Sequence, residues 1–441
     1  MALARTAPLT WGQQGIWTAI ERNPPAQFNV GVALSVPFRY HADVSTLVTA
    51  VGMLISQHQA LRTRILSVDG GLRQVVEGAG TPEVEVVEAA EEEVPRLVHQ
   101  LRARPFDYAR GDLPVRAVLA RDGGAVRYVL LAFCHMAVDL FALSIVCRDL
   151  LALIAGDPLP PPGPQPADLA HRQRTPAGQR RTASAVAYWS TRLRELEAPM
   201  FAGADSAAPA KFRSALLVSP AAGAAARLLS ERHGVGDGVV LQHACVSLLR
   251  RVTGHRICHL KIFTNNRFWP EHDRVVATLS QSGLFVSDQA RETPFDEALR
   301  HTARAAVLAH RHAYYDQYEL DGALDRLRQD LRGGVRLDSY FNDARSAGPQ
   351  IWTGTSHPTF DPEPDVAVDV TDPAAIRKAT ASTSFGWLAD PAWMRCNFSM
   401  RIFGAPAAPR FSLSANTQLF PVREMEQFLL DLESLLVEAV A

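Results

Sequence analysis

The chain has 441 residues, enough for two or three domains, and its 47% hydrophobic and 21% charged composition is that of a globular protein, not a disordered or fibrous one. With 45 Lys+Arg against 46 Asp+Glu the net charge is -1, which leaves no whole-chain electrostatic footprint for nucleic acid or an anionic membrane. The five cysteines, Cys134, Cys147, Cys245, Cys258 and Cys396, form no CxxC pair, which excludes a zinc ribbon or disulfide framework and fits a reducing cytoplasm.

The opening MALARTAPLTWGQQGIW lacks a continuous apolar run, so no signal peptide is expected. Gln13–Ile20 then reads as helix, Phe28–Val36 as an alternating strand, and Val44–His58 as a helix burying Val44, Leu47, Val51, Leu54 and Ile55 on one face. Thr63–Val68 and Val84–Val87 read as strands, and the Glu-rich run ending at Val94 opens a helix to Ala103. Strands over Val115–Arg121 and Arg127–Phe133 flank the turn Asp122-Gly123-Gly124, and Leu140–Ile154 is helical. The apolar stretch 128–154 is broken by His135, Asp139, Arg148 and Asp149, so no membrane span is expected.

Prolines, glycines and arginines dominate 156–183, which predicts a linker between an N-terminal lobe, 1–155, and a C-terminal lobe, 184–441. The second lobe opens with a helix over Ala183–Leu196, followed by helices near 219–233 and 238–252. Strands follow at Ile257–Phe263 and Leu284–Ser287, then a long helix from Pro294 to about Tyr314. Late strands are expected near 336–341, 397–403 and 410–415, with a closing helix from Val422 to Val440. Both halves mix strands and helices, which points to an α/β or α+β fold.

Chemistry concentrates in CHMAVDL, residues 134–140, where a buried strand ends in His135 and a carboxylate, Asp139, follows four residues later. Such an imidazole can work at the mouth of a cleft, and the same histidine can equally be a satisfied structural residue with Asp139 capping the next helix. Cys134 and His135 are neighbours on a strand and point to opposite faces, so a thiolate–imidazole pair is not expected. His243, Cys245, His255, Cys258 and His259 match no regular zinc spacing, and His310 and His312 diverge on a helix; no metal site is expected. GxGxxG and GxxxxGK[ST] loops are absent from the sequence, so nucleotide-driven activation is not encoded here.

CHMAVDL resembles the HHxxxDG motif of nonribosomal peptide synthetase condensation domains, which belong to the chloramphenicol acetyltransferase-like superfamily. LTWGQQGIW (9–17), HQALRTRI (58–65) and SGLFVSD (282–288) resemble the family's LTxAQxxxW, HExLRTxF and IGxFVNT in the same order, with weaker echoes in 106–121 and 188–193. The resemblance implies two acyltransferase-like lobes in a V, a tunnel between them, and His135 near its middle as the catalytic residue. It further implies that Asp139 pairs with Arg62 to support the site, and that Cys134, Leu140, Trp17, Ser282, Gly283 and Asn342 line the tunnel. Asn265, Asn266 and Arg267 fall where the second lobe contributes to it, and Trp11 reads as core or wall.

The activity so implied is amide or ester formation between an acyl or aminoacyl thioester, carried on the phosphopantetheine arm of a carrier protein acting in trans, and a small-molecule or carrier-bound amine or alcohol. No cofactor is bound by the chain itself. Cys134 and Leu140 replace the motif's first histidine and its glycine. Two alternatives stay open on that account: a degenerate domain that recruits a partner enzyme, and a coenzyme A-dependent acyltransferase.

Overall fold

The computed structural model describes residues 5–40, 42–78, 83–108, 110–196, 199–201, 211–290, 293–330, 336–345, 368–390, 394 and 396–441. The first lobe contains β1 (Arg5–Pro8), α1 (Trp11–Glu21), β2 (Val30–Ser35), α2 (Val44–Gln57), β3 (Thr63–Val68), β4 (Gly71–Val76), β5 (Val84–Glu88), α3 (Val94–Ala103), β6 (Val115–Asp122), β7 (Ala125–Phe133) and α4 (Leu140–Ala155). Its main sheet runs β2-β7-β6-β5, and a small antiparallel sheet runs β1-β4-β3.

Strand β7 shows why the sequence before His135 reads as a continuous apolar run. Val129, Leu131 and Phe133 face the α2/α4 core, while Leu130 and Ala132 face the layer under α3. A strand covered on both faces has no reason to alternate. The β6–β7 hairpin turns through Gly123 and Gly124, both at positive φ, a conformation glycine adopts without a Cβ penalty.

Two helices, α5 (Pro166–Gln173) and α6 (Pro176–Arg194), connect the lobes. This corrects the expected linker: only the stretch before Pro166 is irregular. Pro166 and Pro176 occupy first helical turns, where proline's missing N–H is no loss, and Ala167, Leu169 and Ala170 are buried.

The second lobe contains β8 (Phe212–Val218), α7 (Pro220–His233), α8 (Asp237–Thr253), β9 (Ile257–Thr264), β10 (Gln281–Asp288), α9 (Phe295–Arg311), α10 (Gln317–Asp330), β11 (Ser339–Asp343), α11 (Pro373–Lys378), β12 (Ser384–Trp387), β13 (Phe398–Phe403), β14 (Arg410–Asn416) and α12 (Val422–Ala439). Its sheet is ordered β10-β9-β11-β13-β14-β8-β12. Helices α7, α8, α9 and α12 bury one face in the largest core, where Met425, Phe428, Leu429, Leu432 and Leu436 of α12 meet Phe398 and Phe411.

Strands β9 and β10 are adjacent and antiparallel, yet residues 265–280 between them leave this sheet for the first lobe. Val276 enters the α2/α4 core, and Val275, Ala277 and Leu279 pack on Leu169. We call this segment the crossover.

Candidate active site

His135 follows the last residues of β7, in the short loop closed by the N-cap of α4. Its Nδ1 lies 2.7 Å from the Val138 carbonyl oxygen. A carbonyl only accepts, so Nδ1 carries the proton and Nε2 presents its lone pair. Burial pushes the His135 pKa down, and this outweighs the opposite pull of the Asp139 carboxylate and the Val138 hydrogen bond. The imidazole is therefore neutral at pH 7, half-buried, with Nε2 as an acceptor.

Asp139 caps α4 by accepting from the Ala142 N–H at 2.8 Å. The rest of its carboxylate belongs to the crossover. Arg267 donates to both oxygens at 2.9 Å, and Oδ2 also accepts from the Leu279 N–H (3.0 Å), the Ser280 N–H (3.1 Å) and the Ser280 hydroxyl (2.9 Å). The Asp139 and Arg267 side chains are each 1% exposed. Burial alone would raise the Asp139 pKa, but Arg267 and the backbone donors of Ala142 and Leu279 overcome it and hold the carboxyl below its usual range. Arg267 also rests over the Phe141 ring, 4.5 Å from its centroid. Asn266 immediately before it takes a left-handed φ of 55°, fixed by amide donation to the Leu279 and Ala313 carbonyls.

The expected Arg62–Asp139 pair is not formed. Arg62 ends the 3-10 turn Gln59–Arg62, and its guanidinium donates to the Glu77 carbonyl just beyond β4, tying down the β3–β4 hairpin. The partner of Asp139 arrives from the other lobe, 128 residues along the chain. The HQALRTRI segment does carry a buried polar contact: His58 Nε2 lies 2.9 Å from Asp149 on α4, and Arg274 of the crossover reaches the same carboxylate at 3.1 Å.

The crossover also touches His135 itself. The buried Thr278 hydroxyl donates to the His135 carbonyl. Thr278 in turn lies against Gly12 of α1, where a Cβ would come 2.1 Å from the Thr278 carbonyl oxygen. Helix α1 is bound to the second lobe elsewhere too: Trp11 meets Tyr314 edge-on at 4.7 Å, and Gln14 donates to Asp316 at 3.2 Å. Nothing in ATLSQ, residues 277–281, marks Thr278 or Ser280 as part of the site.

The other expected site residues divide. Cys134 is buried, its thiol hydrogen-bonded to the Tyr108 hydroxyl at 2.8 Å, and burial raises its pKa to about 11, so it is a neutral core thiol. Trp17 packs edge-on against that Tyr108 at 5.4 Å and is half-buried. Leu140 opens α4, half-buried, without the positive φ that would require glycine.

Gly283 does not line an open wall. It faces α9, where a Cβ would lie 2.3 Å from the Ala309 carbonyl oxygen, so the glycine permits close packing of β10 on that helix. Ser282 and Asn342 lie on the opposite face of the same sheet, both half-buried, with Ser282 at the end of β10 beyond Leu284 and Val286, which α6 and α10 cover.

Among the described residues no group of three or more His, Cys, Asp or Glu side chains converges on a metal position. His243 bonds to Thr302 at 3.0 Å, His259 donates to the Arg336 carbonyl, and Cys245 and Cys258 are buried core thiols.

A family model described as the condensation domain matches residues 3–335. The chain belongs to the condensation-domain family. The domain is 27% identical over 329 residues to a probable non-canonical nonribosomal peptide synthetase, CymA, from Salinispora arenicola, covering 71% of this chain and 4% of that protein. It spans between 3% and 26% of the curated relatives it matches.

Among solved structures, the condensation domain of the monacolin K polyketide synthase MokA superposes with a TM-score of 0.75 at 18% identity, covering 99% of this chain and 98% of that one. The X-domain from teicoplanin biosynthesis, solved in complex with OxyB, superposes at 0.71 with 17% identity, covering 99% and 94%. The condensation domain described here thus has the mixed helix and strand, chloramphenicol-acetyltransferase-like fold of its family. Among its described residues no helix is long and apolar enough to cross a membrane.

Proposed function

We propose that this condensation domain is an acyltransferase that forms an amide or ester between an acyl or aminoacyl thioester on a carrier protein's phosphopantetheine arm and an amine or alcohol acceptor. The observation that carries the reading is the state of His135: a neutral imidazole with Nδ1–H spent on Val138 and an Nε2 lone pair, held from both lobes through Asp139 and Thr278.

The chemistry asks for little more. A thioester is already activated, so the domain has to orient the two reactants and manage one proton. The acceptor nitrogen or oxygen attacks the thioester carbonyl carbon while Nε2 accepts its proton. The resulting oxyanion collapses, the C–S bond breaks, and the departing sulfur takes the proton back from the imidazolium. Arg267 keeps Asp139 ionised, and the ionised Asp139 favours the transient imidazolium. No nucleotide enters.

The fold does not by itself choose between this activity and the docking of a partner enzyme, since it is shared with an X-domain that binds OxyB. The histidine geometry favours catalysis, because docking needs no Nε2 lone pair.

The test is to load a carrier protein with acyl groups, supply a panel of amines and alcohols, and follow products by mass spectrometry. Product with the wild-type chain and none with His135→Ala supports the reading. Turnover unaffected by that change removes His135 from the chemistry, and no turnover with any donor while an oxidase is bound favours the docking role.

A further inference from the structure

Large apolar side chains on interior strands are normally covered, yet Phe263 on β9, between β10 and β11, is 42% exposed. Its strand neighbours Leu260 and Ile262 enter the core under α8 and α9, so Phe263 stands on the opposite face. Register places it in a lateral row. Ser282 of β10 pairs directly with it, and the parallel pairing Phe341↔Ile262 brings Asn342 of β11 alongside.

Asn342 pairs in turn with Arg401 of β13, whose pKa burial pushes down to about 10 with help from Arg102 on α3. At Arg401 this face comes within electrostatic reach of α3 of the first lobe, whereas further along β10 Leu284 and Val286 on the same face pack against α6 and α10.

The row also begins beside the candidate site. Ser280 holds Asp139 and Thr278 holds the His135 carbonyl, and Ser282 lies two residues further on, about 7 Å of extended strand. From the other end, β9 stops at Thr264, three residues before Arg267.

The composition of this wall is specific. The Phe263 ring lies 18° from parallel to Tyr340, with centroids 5.9 Å apart, and the Lys261 ammonium sits 4.4 Å from the Tyr340 centroid. The two rings form a short stack polarised by a cation, and Phe263 is its accessible member. On either side stand a hydroxyl and a carboxamide, Ser282 and Asn342, whose side chains spend no hydrogen bond on another described group. An apolar plane with a few convergent polar groups at its margin is the usual make-up of a small-molecule subsite.

We propose that Phe263, flanked by Ser282 and Asn342, is the subsite for an aryl group on one of the two reactants, a ring that continues the Tyr340–Phe263 stack. This names the substrate class for the acyl transfer proposed above and rests on that reading for its catalytic meaning, although binding alone can test it.

The probes are two matched pairs, with binding measured by calorimetry and saturation-transfer NMR: benzoyl and cyclohexanecarbonyl thioesters of N-acetylcysteamine for the donor side, and benzylamine and cyclohexylmethylamine for the acceptor side. The aryl member of one pair is expected to bind about fivefold or more tightly than its saturated partner, and the pair that shows this identifies which reactant carries the ring. Phe263→Ala should bring the preference within about twofold while circular dichroism and melting stay as in the wild type, and Phe263→Trp should retain it.

Equal binding within both pairs, no binding of any probe, or a preference that survives Phe263→Ala overturns the proposal. The same measurements in His135→Ala keep the two ideas apart. A preference there without any acyl transfer by the wild type retains the subsite and removes the catalytic reading, and acyl transfer without a preference does the reverse.

Discussion

Replacing Asp139 with alanine removes the acceptor of six hydrogen bonds, two of them from Arg267, and strands that guanidinium at 1% exposure. Breaking a buried pair by deleting one partner costs about 3–5 kcal/mol, because the remaining charge is left uncompensated. The lost α4 cap accounts for about 1 kcal/mol on its own.

We expect urea denaturation to show a loss of about 4 kcal/mol for Asp139→Ala, and a double-mutant cycle with Arg267→Ala to return a coupling of about 2 kcal/mol or more. The double variant should be less damaged than the sum of the singles, since it leaves no orphaned charge. A parallel cycle with Arg62→Ala is the control, because Arg62 bonds to Glu77 instead. It should be additive within about 0.5 kcal/mol. Coupling to Arg62 with none to Arg267 would refute the geometry. The sign with pH is fixed too: a carboxyl held below its unfolded pKa contributes stability above about 3.8, lost as the pH falls through its lower folded value.

His135→Ala should lower acyl transfer by about 10²–10⁴-fold with the melting temperature little changed, read by product formation and calorimetry; a folded variant of full activity would remove the residue from the chemistry. His243 is buried with its pKa depressed to about 3, so the unfolded state, titrating near 6.5, binds the proton first, and stability should fall by up to about 1.4 kcal/mol per pH unit below 6.5. Denaturation midpoints of wild type and His243→Gln should therefore converge as the pH drops from 7 to 5, and parallel curves would contradict this. Gly12→Ala drives a methyl into the Thr278 carbonyl oxygen 2.1 Å away and should cost both stability, by about 1–3 kcal/mol, and turnover, through the His135 carbonyl held by Thr278. Leu140→Gly should cost about 1 kcal/mol of helix stability, and if the isobutyl group gates access it should widen the range of donors accepted; an unchanged donor profile ends the gate idea.

The elements nearest the site were the easiest to read in the sequence. Strand β7 is covered on both faces and α4 is buried along much of its length, so the chain spells out an apolar run interrupted at the loop where His135 and Asp139 project and again at Arg148 and Asp149 within α4. The four motifs that resemble the family lie on α1, on the turn into β3, on the loop before α4 and on β10. The partner of Asp139 was not legible. Two arginines satisfied the same chemical expectation, and the choice was made by a crossover that delivers Arg267 from 128 residues away. The role of Gly283 is not legible either, because a glycine needed for helix packing looks the same in sequence as one needed for ligand approach. The supposed linker failed at Pro166 and Pro176, where proline starts a helix instead of ending one. Short β1 and β4 gave no periodic signal, and they stand by pairing with each other.

The crossover has a consequence for how this protein can be taken apart. The imidazole and its carboxylate lie in the first third of these 441 residues, but the arginine, threonine and serine that hold them come from the far side. Fragments ending near residue 155 would carry every residue of CHMAVDL and still present a histidine loop with half its anchors missing. Activity should therefore return only when the complementary piece is supplied, and a reactant that binds across both pieces should make them associate more tightly. The competent loop therefore reports on the junction: it has all its anchors when the two halves are closed on one another, and parting them takes away those that Arg267, Thr278 and Ser280 supply.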